Sequence, residues 1–219
     1  QRKLLNDASH LSMPPSPNLT QDALFRDVSR IIDAGVASAS VAVHRAAVVT
    51  FWRVGQRVVE EFKGGGERAQ YGAETVRTLA ARLLPVYGPA YSKRNLDYYC
   101  RFFRFFPDFE IVNARVHNLN WTHYRLLLGE ENEDARYWYV REASRENWSV
   151  RTLSRNIGSQ YYHRLLRAPK KDAVLKEMMA RTSGNPPAAE EMVKSPVLAE
   201  FLHLGPNSTF TESEKARMS

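Results

Sequence analysis

"PAYSKRNLDYYCRFFRFFP", residues 89–107, is the stretch on which the fold turns. Prolines bracket it, and Ser92 stands where a helix N-cap is wanted. The residues between repeat at the spacing of an amphipathic helix, about 100° apart, with Leu96, Tyr99, Cys100, Phe103 and Phe106 on one broad apolar face. Arg94, Asp97, Arg101 and Arg104 lie opposite, and Tyr98, Phe102 and Phe105 fill the arc between. Three aromatics are too much apolar surface to leave in water, so this arc is expected against another helix, another subunit or nucleic acid. Packing on protein is favoured, because duplex DNA offers no base faces for stacking.

Working outward, "PVYGPAY" ahead of this helix reads as a turn in which Pro85 and Pro89 stop the preceding helix, predicted over 73–84. Helix, glycine-containing turn, Ser-capped helix is the helix-turn-helix order. Further upstream a long helix is predicted over about 40–62. Val48, Trp52, Gly55, Val59 and Phe62 alternate spacings of four and three along it, the pattern of a helix-on-helix seam. Gly64, Gly65 and Gly66 end it, and a separate short helix after Thr20 is expected to bury Leu24, Val28 and Ile31.

Downstream, Glu110–Val112 and Arg115–His117 are candidates for the two short strands of a wing. "WTHYRLLL" is helical. "GEENEDARYWYVREASREN" makes another helix, with acids at its positive end, Arg145 at its negative end and Asn147 as a left-handed stop. Then "NWSVRTLSRNIGSQYYHRLLR", residues 147–167, opens as the first stretch does: aromatic, Ser, any residue, Arg, any residue, Leu. Ser149 is its expected cap. Val150, Leu153, Ile157 and Tyr161 face inward, and Arg151, Arg155 and Tyr162 share an outer face. From Trp148 to Lys171 there are six basic residues (Arg151, Arg155, Arg164, Arg167, Lys170 and Lys171) and no acid. The fold class is therefore mostly α, a helical bundle with helix-turn-helix or winged-helix-like units and little or no β. Residues 1–19 form a disordered N-terminal segment, 20–168 a helical domain of DNA-binding type, and 169–219 a linker ending in the apolar "SPVLAEFLHL" and a polar tail.

A net charge of +7 with 31 basic residues, 23 of them arginine, favours a polyanionic partner. One cysteine, Cys100, excludes an internal disulfide and a Cys-based zinc site, and it fits a reducing, cytoplasmic setting. No apolar run approaches the ~20 residues of a membrane span. The histidines show no metal-ligand spacing, there is no phosphate-binding glycine loop, and no small-molecule site is evident. His123, between Trp121 and Tyr124, has no nucleophile or carboxylate nearby in the sequence to complete a mechanism, so it reads as a buried structural histidine. A metal-dependent nuclease of the PD-(D/E)XK type needs an Asp and, downstream, Asp/Glu-x-Lys to hold Mg²⁺ and activate water. Asp108 supplies the first element, but no later acid is followed two positions on by lysine. No catalytic or metal-binding residue is thus expected in this chain.

Phe51-Trp52-Arg53-Val54-Gly55-Gln56, Glu67-Arg68-Ala69-Gln70-Tyr71-Gly72, Tyr91-Ser92-Lys93-Arg94-Asn95-Leu96, Phe106-Pro107, Trp121-Thr122-His123-Tyr124 and Asn147-Trp148-Ser149-Val150-Arg151-Thr152-Leu153 come in an order and spacing that resembles the amino-terminal domain of YhcG-like PD-(D/E)XK nucleases, over roughly residues 45–167. The resemblance implies a helical, winged-helix-like domain that binds DNA and is joined to a C-terminal nuclease half, to follow near Ser219. Mg²⁺ is expected only for that half.

The functional expectation is a non-catalytic DNA-binding module that meets duplex DNA through Lys93, Arg94, Arg101, Arg104, Arg151, Arg155, Arg164, Arg167, Lys170 and Lys171. The basic helix after Trp148 is the stronger candidate of the two. The alternative is a protein-interaction module, a homodimer that orients the nuclease half through Tyr98, Phe102 and Phe105.

Overall fold

The computed structural model describes residues 17–61 and 68–182. Of the expected disordered segment 1–19, residues 1–16 lie outside the described residues, as do the triple glycine, Phe62 and the tail after Thr182, whereas residues 17–19 open a helix. The chain divides into two compact units, Gln1–Val36 and Ala37–Ser219.

Among the described residues of the second unit the elements are all helical. After the long α1 (Pro17–Glu61), which enters from the first unit, come α2 (Arg68–Tyr87), a 3-10 turn at Pro89–Tyr91, and α3 (Lys93–Phe105). Then follow α4 (Phe109–Asn113), α5 (Trp121–Leu127), α6 (Glu133–Arg145), α7 (Val150–Gly158), α8 (Tyr161–Arg167) and α9 (Lys171–Thr182).

The core forms where α1 crosses α3. Val48, Trp52, Val59, Leu96, Tyr99, Cys100, Phe103 and Phe106 are all buried, as the two periodic patterns predict, and Phe51 joins them. Gly55 sits at the crossing because nothing larger fits: a Cβ there would stand 1.9 Å from the Tyr99 carbonyl oxygen. That close approach lets Phe51 stack on Tyr99 at 4.3 Å and Trp52 meet Phe103 edge-on at 5.2 Å. Two hydrogen bonds lock the register, Trp52 Nε1 donating to Phe106 O (2.7 Å) and Tyr99 Oη to Ala90 O (2.8 Å). A second aromatic group, Trp138, Trp148, Tyr161 and Tyr162, closes the other end of the unit.

His123 joins these two regions. Its Nδ1 accepts the Asn120 N–H and its own N–H is bound by Asn120 Oδ1, closing a capping box on α5. With Nδ1 accepting, Nε2 carries the proton and donates to Trp148 O at 2.9 Å, which ties α5 to the entry of α7. Burial drives its pKa down to about 4, with the nearby His44 adding to the effect. It is a structural, neutral histidine.

Several expectations need correction. The wing is absent: among the described residues there is no strand, and residues 109–118 form α4 and successive turns, with Asp108 capping Glu110 N–H at 2.9 Å. No break separates a short first helix from the long one, and Leu24, Val28 and Ile31 are exposed rather than buried. Helix α2 runs through Pro85, because a proline in the exposed last turn withdraws only one hydrogen bond, from a carbonyl that water reaches. The left-handed turn falls three residues later, at Gly88 (φ 75°). The single basic helix over 147–167 is two helices, separated at Gln160, whose φ of 53° breaks the backbone pattern. The expected linker from residue 169 begins with α9, which packs Val174, Leu175 and Met178 on the core. Finally, an 18-residue window within Gln21–Glu61 reaches mean hydropathy 1.3, so α1 is apolar and long enough to pass a membrane-span criterion by composition. Core helices of globular domains pass the same criterion, and Ala47, Val48, Phe51 and Trp52 of α1 are buried within the second unit.

Candidate nucleic-acid interface

Helix α3 starts after a turn that leaves its first N–H groups forward-facing. Ser92 occupies the N-cap position, yet its side chain makes no capping bond. This corrects the expected parallel with Ser149, whose Oγ accepts from Thr152 N–H at 3.1 Å. Lys93 spends its charge on Asp97, at 2.7 Å one turn on.

Side chains four residues apart on a helix face one another. Arg94 therefore lies over the Tyr98 ring (5.8 Å) and Arg101 over Phe105 (4.8 Å). The two pairs are seven residues apart, about 10 Å along the axis. Tertiary structure adds a second arginine to each ring. Arg125 of α5 reaches Tyr98 at 5.2 Å, and Arg136 of α6 reaches Phe105 at 4.0 Å. Arg136 is buried and donates to Glu130 O at 2.9 Å. Cation–π contact contributes roughly 0.5–2 kcal/mol per pair, more as the pair is desolvated. Hydrogen bonding and charge from Arg94, then from Arg125, hold the Tyr98 hydroxyl below the usual phenol range. Among the described residues, Arg94, Arg101, Arg104, Arg125 and Arg136 form no ion pair with a carboxylate. Arg94 and Arg125 also border a cavity of about 280 Å³ with Ser92 and Asn95, whose inner wall is Phe51, Tyr99 and Trp121.

The arc of Tyr98, Phe102 and Phe105 is thus explained from within the chain. Phe102 is fully buried against Trp121 and Tyr124, so it belongs to the core and not to an intersubunit surface. Tyr98 and Phe105 are half-buried beneath guanidinium groups.

The second basic stretch is less open than its sequence suggests. Arg164 pairs with Glu177 of α9, so an acid from outside the run answers its charge. Arg155 lines the small space between α7 and α9 together with Arg164 and Glu177. Tyr162 is not on an outer face: it packs on Trp138, and its N–H donates to Tyr139 Oη. Arg151, Arg167 and Lys170 remain exposed. Lys171 starts α9, and its side chain lies outside the described residues. Helix α7 does bury Leu153, with Ile157 half-buried.

Arg125 and Arg136 escaped the sequence reading. Arg125 is the one arginine of α5 and Arg136 one of three in α6, and nothing local marks that either turns toward α3. The described residues bring together no three His, Cys, Asp or Glu side chains able to hold a metal ion.

The family description "DUF1016 N-terminal domain" matches residues 27–164. "Putative nuclease YhcG" of Escherichia coli (strain K12) is 27% identical over 218 residues, covering 86% of this chain and 58% of that protein. The chain thus spans less than two thirds of that relative's length. No solved structure matches.

Proposed function

Because the chain belongs to the DUF1016 N-terminal domain family and is the YhcG-like amino-terminal domain its motifs indicate, we propose that it is a module that grips duplex DNA for a nuclease. The observation carrying this reading is the convergence of Arg94 and Arg125 on Tyr98, beside an open cavity, without a paired carboxylate among the described residues. Two guanidiniums on one ring repel each other. An anion placed between them relieves that repulsion and gains charge-assisted hydrogen bonds. The free N–H groups at the start of α3 add to the attraction.

The same geometry favours a duplex over an unpaired strand. Tyr98 and Phe105 already stack on arginines and present no free platform for an unpaired base. Phosphate contact along a duplex, which positions without reading sequence, suits the face better. Helix α3 with Arg94, Arg101 and Arg104, supported by Arg125, is the primary contact. Arg151, Arg167 and Lys170 are secondary. Cleavage belongs to the part of the relative that this chain does not span, since no acid after Asp108 is followed two positions on by lysine.

The test is fluorescence anisotropy with a labelled duplex at salt between about 50 and 200 mM, where affinity should fall steeply. Arg94→Ala with Arg125→Ala should weaken binding and lower the slope of log K against log salt by about two. Arg151→Ala should lower it by one at most. Absence of binding at low salt, or an unchanged slope in the double variant, overturns the reading.

A further inference from the structure

Residues 21–36 of α1 carry an apolar face that is open to solvent. Leu24 (64% exposed), Phe25 (73%), Val28 (44%), Ile31 (71%), Ile32 (59%) and Val36 (49%) fall within about 140° of one another on the helix. Asp22, Arg26, Asp27, Arg30 and Asp33 occupy the opposite arc, with Arg30 and Asp27 paired at 3.1 Å. Such a clean separation over four turns is the pattern of a helix that has an apolar partner.

We propose that this face is where two copies of the chain associate, the N-terminal part of α1 of one against that of the other. The charge pattern argues for protein over lipid or nucleic acid. The polar arc holds three acids to two arginines, whereas a helix that lies on an anionic membrane presents a Lys/Arg-rich face. The size argues for a second copy. The six side chains expose on the order of 600 Å² per chain, so pairing removes up to ~1,200 Å², within the range of a stable interface. Leu24-Val28-Ile31 and Phe25-Val28-Ile32 alternate spacings of four and three, which mesh with an identical stripe across a two-fold axis. These residues are not those of the arginine face, and the test involves no nucleic acid.

Light scattering coupled to gel filtration of the full chain, at about 1 to 100 μM, decides the matter. The expected mass is at least twice 25.1 kDa. Phe25→Glu with Ile32→Glu should return it to a monomer of unchanged helicity, and Asp33→Asn, on the polar arc, should leave the assembly intact. If the double variant lost helicity, Leu24→Ala with Ile31→Ala, which preserves helix propensity, should still weaken association at least tenfold. A monomeric wild-type chain at the highest concentration, or an assembly that survives both variants, overturns the proposal. So does a monomer that sediments with phosphatidylserine vesicles and loses that binding in the double variant, which would assign the face to a membrane.

Discussion

Gly55→Ala tests the core architecture with a single methyl group. The alanine Cβ would lie 1.9 Å from Tyr99 O and 2.5 Å from Tyr99 C, where ordinary contact begins near 3.4 Å. The obstruction is backbone, with no flexible tip to swing aside, so α1 and α3 must part by about 1.5 Å or slide. Either movement pulls Phe51 off Tyr99 and stretches the 2.7 Å bond from Trp52 to Phe106 O. Overpacking a core costs typically about 1–3 kcal/mol, and a clash with backbone falls at or beyond the top of that range. Better helix propensity returns up to ~1 kcal/mol. The expected net loss is about 3 kcal/mol, seen in urea as a midpoint lowered by roughly 1.5 M if m is near 2 kcal/mol/M. Gly158→Ala is the control: nothing lies within 4 Å of its Cβ position. Its effect should stay within about 0.5 kcal/mol. A Gly55→Ala protein as stable as the parent would show that α1 and α3 do not meet here, and the interface built on α3 would lose its foundation.

The remaining predictions concern buried polar groups. His123 is held neutral in the folded chain, with a pKa of about 4 against 6.5 when exposed. The unfolded chain therefore takes up a proton between those values while the folded chain does not. Stability should be fully present above pH 6.5 and fall as pH drops toward 4, by about 3 kcal/mol in total; His123→Asn should flatten that part of the profile in urea titrations. Tyr124 Oη is buried and has no hydrogen-bond partner among the described residues. Tyr124→Phe should therefore be neutral or stabilising by up to about 1 kcal/mol, and a loss of more than 1 would reveal a partner for the hydroxyl.

Most of the secondary structure was readable in residue spacing, because a helix that buries one face writes that face into every third or fourth position. The α1 seam, the α3 core face, the acid-to-basic polarity of α6 and the left-handed stop at Asn147 (φ 48°) all depend on neighbours within a turn or two. Where two structures share a local pattern, spacing could not choose. The three-residue segments 110–112 and 115–117 suit a strand as well as a turn of helix; Asp108 capping makes the first helical, and the second follows as turns. The run over 147–167 continues in sequence across a backbone break that only packing of Tyr161 and Tyr162 on Trp138 demands.

The sequence by itself determined a helical, arginine-rich chain, the faces of α1 and α3 that meet in its core, and its family, since these rest on periodicity, composition and ordered motifs. The tertiary structure alone decided which charges stand together. Arg125 and Arg136 join Arg94 and Arg101 from helices 24 or more residues away, while Glu177 answers Arg164 across 13. Coulomb and cation–π interactions act through a few ångströms of space, whatever the separation along the chain. An acid-free stretch of sequence is therefore not an acid-free surface, and the open cationic face lies on the helix that looked the more crowded.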